Sequence, residues 1–324
     1  MGRRFSVKTF AVAVAAAALA VASCSSADVL ASVNGEPIYE NDVLSLRSQY
    51  AEGEPDLVSG NAVRQDLTAR IYALAFAQAL QEDFDIPPPT PAQVEGRRTA
   101  PPARWERLFA QLGEQNPGAT DEWLRLVAEN SIIRDAAVVA VLEEQSGFAE
   151  IFSNQRTLVT QTCAAHIVTD SIQSAQAVLA RLDAGESFEQ LATELSLDTG
   201  SPGGLLVDPD DPQNCVVSAS RFVPEFADAL VVAPVGQPFG PVQTDFGWHV
   251  ILVLQRNAPE TLDVFAADPL AYLDPGYAAN VAALWEDSAV GRADIRVASA
   301  LGRWNPGTDG ILPPDDATIL SITP

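Results

Sequence analysis

Apolar side chains recur at helical spacing through the first half of the chain. In residues 61–83 they fall three and four positions apart, which places them on one face of a helix: Val63, Leu67, Ile71 and Leu74. The same periodicity predicts helices near residues 103–113 and 121–145, the second capped by Asp121. Between them and the first helix lies the proline-rich stretch DIPPPTPAQVEGRRTAPPA, residues 85–103, which we expect to be a loop or a short linker.

From about Thr157 the pattern changes to short strands and short helices. TLVTQTCAAHIVTD predicts a strand with His166 near its end, and GWHVILVLQR predicts a final strand. Between them, SAQAVLARLDAG and SFEQLATELS predict helices that each open with a capping serine, VPEFADAL a further helical turn, and APVGQPFGPVQ a turn and a strand. This order of elements favours an antiparallel sheet with helices packed against it, an α+β fold.

Charge narrows the range of partners. The chain has 19 basic and 43 acidic residues and a net charge of −24, and loss of the first 23 residues would remove three of the basic ones and give −27. A surface this acidic repels phosphate backbones and anionic lipids alike. We therefore expect no nucleic acid among the partners.

The first 23 residues have the pattern of an export signal. A cationic start containing Arg3, Arg4 and Lys8 precedes an Ala/Val run that is too short and too weakly flanked for a lasting membrane span. The run ends in VASC, which resembles the bacterial lipobox and predicts that Cys24 is acylated and becomes the mature N-terminus. Lipid on Cys24 would hold the protein on the outer face of a membrane. An ordinary secretory signal cleaved nearby is the alternative.

Two cysteines then remain, Cys163 and Cys215. Outside the cytoplasm such a pair usually forms a disulfide, and closing a loop of about 50 residues contributes roughly 4 kcal/mol. Two buried thiols are the alternative. Neither C-x-x-C nor H-x-x-x-H spacing occurs in the chain, so we expect no metal site.

The chain has two histidines, His166 and His249, and each alone would suit a hydrogen-bonded core position. Four stretches in order, however, resemble the parvulin family of peptidyl-prolyl isomerases: CAAHIVTD, AGESFEQLATELSLDTGSPGG, FVPEFADAL and GPVQTDFGWHVILV. The resemblance covers residues 163–256 and puts both histidines at the family's two active-site positions. It implies cis–trans isomerisation of X-Pro bonds, a reaction that uses no cofactor.

The resemblance also implies the residues of the site. They are a polar cluster of His166, Asp198, Thr244 and His249 and an apolar proline pocket of Phe222 and Phe226, with Leu206, or else Leu205, as a third wall. We expect the two imidazoles to share a hydrogen bond across adjacent strands, with Asp198 and Thr244 fixing their orientation. Asp198 as a turn cap, Thr244 as part of a strand and Phe226 as plain core are the alternatives.

The flanking segments resemble extracytoplasmic foldases of the SurA and PrsA type. The resemblance divides the chain into a signal peptide (1–23), a helical chaperone-like module (24–156), a parvulin domain (157–257) and a segment that returns to the helical module (258–324). VNGEPIYENDV, read as a strand, an Asn-Gly turn, an extended piece and a helix start, opens that module, and IRVAS is expected to pair with its first strand. The implied clients are unfolded or partly folded secreted proteins with X-Pro bonds.

One loop departs from the family pattern. GGLLVDPDDPQNCVVSASRF lacks the Asp of the usual Gly-Gly-Asp-Leu-Gly and is longer and more acidic. A basic cluster is also missing after His166, so phosphoserine or phosphothreonine selectivity is not expected. Because of this altered loop, a second function is an alternative: a membrane-tethered chaperone that holds clients without isomerising them. A metal- or solute-binding lipoprotein is a third reading, which the spacing of the His and Cys residues opposes.

Overall fold

The computed structural model describes residues 28–47, 60–115, 118–209, 211–307 and 310–314. The predicted signal peptide and Cys24 lie outside these residues. The helices are α1 Glu40–Leu44, α2 Gly60–Phe84, α3 Pro91–Thr99, α4 Ala103–Gln115, α5 Asp121–Gln145, α6 Phe148–Asn154, α7 Ile172–Asp183, α8 Phe188–Leu195, α9 Pro224–Val232, α10 Leu262–Ala267 and α11 Pro275–Arg292. The strands are β1 Val29–Val33, β2 Glu36–Tyr39, β3 Gln161–Thr169, β4 Val216–Ser218, β5 Pro238–Thr244, β6 Gly247–Asn257, β7 Ile295–Val297, β8 Arg303–Asn305 and β9 Gly310–Leu312.

The predicted amphipathic helix at 61–83 is confirmed as α2. Its apolar face buries Val63, Leu67 and Ile71 against Val33 and Ile38 of the β1–β2 hairpin. Further along, α2 packs against α5 and α11 through a second cluster of buried alanine, leucine, isoleucine and tryptophan side chains. Among the described residues, no helix is both long and apolar enough to cross a membrane.

The expectation of a loop throughout residues 85–103 is wrong, because Pro91–Thr99 forms α3. Thr90 caps this helix by accepting a hydrogen bond from Gln93 N, and the Gln93 side chain accepts one from Thr90 N. Pro91 stands in the first turn, where its missing N–H costs nothing and its fixed φ suits a helix. The capping pattern T-P-x-Q therefore outweighs the proline content of the stretch.

Two predicted caps are displaced in the structure. Thr120 rather than Asp121 is the N-cap of α5, with its hydroxyl accepting from Trp123 N. Ser171 rather than Ser174 caps α7, whereas Ser187 caps α8 as predicted. In each displaced case a hydroxyl residue just upstream has the extended backbone that the N-cap position needs.

The C-terminal segment returns to the N-terminal one. The predicted strand pairing is confirmed, since β1 and β7 are antiparallel with Ala31 opposite Val297. On α11, Trp285 Nε1 donates to Asp83 Oδ2 of α2 at 2.9 Å, and Arg292 forms an ion pair with the same carboxylate at 2.5 Å. The boundaries at 156/157 and 257/258 stay a prediction.

The predicted antiparallel sheet of the second half is confirmed, with strand order β4-β3-β6-β5. Its edge strand β4, at Val216–Ser218, was not predicted, because three residues are too short for a periodicity signal. Helices α7 and α8 cover one face of the sheet around Ile167 and Val250. Helix α9 covers part of the opposite face around Ile251 and leaves the rest of that face open.

Candidate active site

Strand register brings the two histidines together on the open face of the sheet. Val168 of β3 lies opposite His249 of β6, and His166 lies opposite Ile251. Residues opposite each other, and residues two apart on one strand, point to the same face, so His166 and His249 are diagonal neighbours. Their ring centroids are 5.5 Å apart and their Nδ1 atoms 3.4 Å apart.

The partners of the imidazoles define a directed chain of hydrogen bonds. Asp198 Oδ2 lies 2.7 Å from His166 Nε2, and Thr244 Oγ1 lies 2.7 Å from His249 Nε2. A carboxylate only accepts, so His166 carries its proton on Nε2 and its Nδ1 must accept from His249 Nδ1–H when both rings are neutral. His249 Nε2 is then an acceptor, and the Thr244 hydroxyl donates to it. The structure thus provides the shared hydrogen bond that we expected from the sequence.

Asp198 is held as an anion at the end of this chain. Burial favours its neutral form, but Ser201 Oγ at 2.7 Å, His166 Nε2 and the Gly200 amide at 2.9 Å donate to the carboxylate, and together they lower the pKa of Asp198. The loop reaches this position through Gly204, which has φ +78° and passes so close to the sheet that a Cβ would lie 2.4 Å from His166 O. Only glycine fits there.

His249 is neutral at physiological pH. Burial disfavours its charged form, repulsion from His166 adds to the effect, and attraction to Asp198 opposes it only in part, which lowers the pKa of His249 to about 4. The side chain has little contact with water, since the residue is 4% exposed. The floor of the site therefore contains the neutral imidazole of His249, and the Asp198 carboxylate lies at the far end of the hydrogen-bond chain.

An aromatic notch stands over the imidazoles. The rings of Phe222 and Phe226 have centroids 5.2 Å apart, and Phe226 approaches His166 and His249 edge-on at 5.6 and 5.1 Å. All four side chains line one cavity of about 530 Å³. Its lining of aromatic rings with few polar groups is the environment that suits an apolar ring such as that of proline.

The placement of Leu206 needs a correction. It does not line this cavity but packs against the buried cluster of Phe226, Leu230 and Ile251. Its amide donates to Ala164 O at 2.9 Å, which ties the Leu206 backbone to β3. The longer acidic loop begins directly after Leu206. The residue spacing of the family therefore does not predict which residue forms this wall of the proline pocket.

Five further lining residues were missed by the sequence reasoning: Val168, Leu197, Arg221, Val223 and Phe246. Each lies within two positions of a predicted residue in the sequence. Side chains on loops beside a site are positioned by tertiary structure, and adjacency was the only signal in the sequence.

The wall that carries Phe222 is tied to the C-terminal segment. Ser220 Oγ donates to Asp274 Oδ2 at 2.9 Å, and Asp274, which is 7% exposed, also caps α11 by accepting from Tyr277 N. Arg221 forms an ion pair with Asp208 of the acidic loop at 3.4 Å. Contacts from outside the sheet thus hold the turn from which the notch wall projects.

A disulfide joins Cys163 of β3 to Cys215 at the end of the acidic loop, as predicted. The bond lies three residues from His166 in sequence and directly precedes β4. It therefore closes the segment that contains Asp198, Ser201 and Gly204.

The pKa of His249 predicts an acid-sensitive fold. The unfolded chain binds a proton on this residue near pH 6.5, whereas the native state resists protonation until about pH 4. Stability is therefore complete above pH 6.5 and decreases as the pH falls, with an expected loss of about 2–3 kcal/mol between pH 7.5 and 4.5. Urea unfolding at the two pH values measures the loss. The same pair of measurements on His249→Gln gives the contribution of all other groups, and equal losses in both proteins would contradict the prediction.

Comparison with known proteins decides the family of this region. The family model described as a PPIC-type PPIASE domain matches residues 142–257. These residues form a parvulin domain. The match includes both histidines, the aromatic notch and the disulfide, so the resemblance noted in the sequence is confirmed.

Curated relatives extend this picture. A parvulin-like PPIase of Rickettsia typhi is 37% identical over 95 residues, which are 29% of this chain and 32% of that protein. Chaperone SurA of Pseudomonas fluorescens is 39% identical over 93 residues, or 28% of this chain and 20% of SurA. Foldase protein PrsA of Clostridium botulinum is 30% identical over 153 residues, or 44% of each chain. The matches thus span a fifth to under a half of these relatives.

Proposed function

We propose that the protein is a peptidyl-prolyl cis–trans isomerase that assists the folding of exported proteins. The observation that carries the proposal is the aromatic notch of Phe222 and Phe226 over the hydrogen-bonded His166–His249 pair. A proline ring would rest on the two phenylalanine rings, with its amide above the imidazoles. Membership of residues 142–257 in the parvulin family supports the same reaction.

The energetic demand of this reaction is modest. Rotation about an X-Pro amide is opposed by roughly 18–20 kcal/mol of C–N double-bond character. A ten-thousand-fold acceleration requires about 5.5 kcal/mol of preference for the twisted state. Apolar packing supplies part of it, because the twisted amide is less dipolar than the planar one and gains more from an apolar cavity. The reaction breaks no covalent bond and needs no cofactor.

The hydrogen-bond chain then has a positioning role. Thr244 and Asp198 fix the ring orientations of His249 and His166, and the chain keeps both imidazoles in contact with Phe226. Asp198 already accepts three hydrogen bonds, and attack on a peptide carbonyl would serve no purpose in a rotation. We therefore assign His166, Asp198, Thr244 and His249 to the catalytic floor, with Phe222 and Phe226 in contact with substrate.

The proposed location is the outer face of the cell membrane. The lipobox-like VASC sequence and the signal-like residues 1–23 support an acylated Cys24, and a disulfide suits an oxidising compartment. Relatives named as a foldase and a chaperone support unfolded or partly folded secreted proteins as clients. The division at 156/157 and 257/258 into a helical module, an isomerase domain and a returning segment belongs to the same proposal.

A chaperone that holds clients is the second candidate, favoured by a cavity in the helical part. This cavity, of about 440 Å³, lies between α2, α4, α5 and α11, and Tyr72, Phe76, Trp105 and Leu108 line it. A site of this kind accepts apolar side chains whether or not they adjoin a proline. The metal-binding reading loses support, since the described residues contain no group of three or more His, Cys, Asp or Glu side chains placed to hold a metal ion.

Exchange between the cis and trans forms of a short X-Pro peptide separates the two candidates. Measured by magnetisation-transfer NMR, the uncatalysed reaction takes tens of seconds, and an isomerase present at micromolar concentration accelerates it by orders of magnitude. Phe222→Ala should reduce the acceleration, because it removes one wall of the notch. Unchanged exchange together with suppressed aggregation of an unfolded protein would favour the holding chaperone and contradict the isomerase.

A further inference from the structure

A short chain of polar side chains lies behind the wall of the notch that carries Phe222. Ser218 Oγ and Ser220 Oγ are 2.9 Å apart, and Ser220 Oγ donates to Asp274 Oδ2 at 2.9 Å. Since the Ser220 hydroxyl has one proton and gives it to the carboxylate, Ser218 must be the donor to Ser220. Ser218 and Asp274 are buried, so water has little access to these bonds. The three side chains do not line the notch cavity, and any effect that they have on a substrate is therefore indirect.

Asp274 belongs to the C-terminal segment and is firmly held there. It is the N-cap of α11, where Tyr277 N donates to its Oδ1 at 2.7 Å. Its own amide donates to Leu158 O at 2.7 Å, and its neighbour Leu273 is part of a buried apolar cluster. The carboxylate that meets Ser220 is therefore placed by contacts with α11 and with the segment that precedes β3.

The two rings of the notch are held in different ways. Phe226 is buried on α9, so the helix and the packing of its core cluster fix the ring. Phe222 is partly buried at the edge of the same cluster and follows the single helical turn of residues 219–221, where its amide donates to Ala219 O at 3.2 Å. One helical turn has little stability of its own. The position of Phe222 therefore depends on the groups to which the turn is bonded.

Ser220 is the middle residue of that turn, and its bond to Asp274 competes with one other side-chain contact. Arg221, the next residue, forms an ion pair with Asp208 at 3.4 Å, and the two side chains are 43% and 23% exposed. Water and salt screen an exposed pair at this distance, so that it contributes little. The buried bond between Ser220 and Asp274 is not screened in this way. It is therefore the stronger of the two restraints on the turn.

We propose that Asp274 is a positioning residue of the isomerase, which acts through Ser220 to hold Phe222 where a proline ring rests. The inference rests on the proposed isomerase function. It makes the C-terminal segment, which lies outside the family match to residues 142–257, a support of the substrate-binding wall. The proline ring keeps its shape while the amide rotates, so its contact with Phe222 is the same in the planar and the twisted state. Loss of the support should therefore raise KM and leave kcat nearly unchanged.

Two substitutions in the full chain break the bond and spare the cap of α11. Asp274→Ser keeps a hydroxyl that accepts from Tyr277 N but is too short to reach Ser220, and Ser220→Ala removes the donor. We expect each to raise KM for a short X-Pro peptide about three- to tenfold, the range that loss of one buried hydrogen bond allows, with kcat within about twofold of the wild type. Asp274→Asn should keep KM within about twofold, since its amide has an oxygen for Tyr277 N and a donor for Ser220 Oγ. Magnetisation-transfer NMR at several peptide concentrations measures both constants.

Thr261→Ala is the matched control, because Thr261 caps α10 of the same segment by accepting from Val264 N and does not line the cavity. It should leave KM at the wild-type value. In a Phe222→Ala background, Asp274→Ser should produce no further rise in KM, because both changes act on the same contact. Wild-type KM in Asp274→Ser and Ser220→Ala would overturn the positioning role and leave the isomerase function standing. A rise that persists without Phe222, or one that Thr261→Ala reproduces, would overturn it too.

Failure of the isomerase function has a different signature. If the wild type does not accelerate exchange, the dissociation constant of the same peptide, from NMR titration, takes the place of KM. Weaker binding by Asp274→Ser that disappears in the Phe222→Ala background then supports the positioning of Phe222, and equal dissociation constants contradict it. A wild type that neither binds nor isomerises the peptide contradicts both proposals.

Discussion

The substitution His249→Ala is expected to lower both the isomerase rate and the stability of the parvulin domain. It removes the acceptor of the Thr244 hydroxyl, the donor to His166 and a ring that Phe226 contacts at 5.1 Å. Loss of a buried ring together with its hydrogen bonds costs about 2–4 kcal/mol of unfolding free energy. With the floor no longer ordered, we expect kcat/KM on an X-Pro peptide to fall about 10- to 100-fold. Urea unfolding and magnetisation-transfer exchange measure the two effects.

A neighbouring residue provides the control for this variant. Val250 is fully buried on the opposite face of β6, against α7 and α8, and has no contact with the notch cavity. Val250→Ala should cost about 2 kcal/mol of stability and leave kcat/KM within about twofold of the wild type. Full activity of His249→Ala on a prolyl peptide would show that the imidazole pair has no part in the reaction. Equal loss of activity in both variants would attribute the effect to stability alone.

The sequence predicted those parts of the fold that local patterns determine. Strict helical spacing identified α2, and short apolar runs identified β3 and β6. Helix α3 was not predicted, and the reason is local. The Thr90 cap and the place of Pro91 in the first turn, where a helix tolerates proline, matter more than the number of prolines in the stretch. Strand β4 is held by pairing with β3, a long-range effect that three residues cannot signal.

The residues of the candidate site also fall into two groups, those that the sequence could predict and those that it could not. Residues within strands or helices, such as His166, His249 and Phe226, could be predicted because a family pattern fixes their place on a rigid element. Leu206 could not, because its position depends on the length of the loop that follows and on its own bond to Ala164. Leu197 and Phe246 contribute through loop conformation, which depends on the hydrogen bonds of Asp198 and Thr244. Loops of unusual length are therefore where structure adds most to the sequence.

Removal of the Cys163–Cys215 bond is expected to have the largest effect on stability. The two cysteines are 52 residues apart, and chain-entropy estimates for such a loop give about 4 kcal/mol. That is a large part of the 5–15 kcal/mol typical of a whole domain. The double variant Cys163→Ala, Cys215→Ala should lower the unfolding free energy by about this amount, and urea unfolding with and without dithiothreitol measures it in the wild type.

Because of its position, the Cys163–Cys215 disulfide should also affect the candidate active site. The closed loop contains Asp198, Ser201 and Gly204, and the bond fixes the end of the acidic loop beside β4, just before the turn that carries Phe222. Opening the loop should therefore weaken binding of an X-Pro peptide, so that KM rises more than kcat falls. Dithiothreitol added to the double variant is the control and should change neither stability nor KM. An unchanged unfolding midpoint of the wild type after verified reduction would mean that packing of β3, β4 and β6 alone determines the stability of this segment.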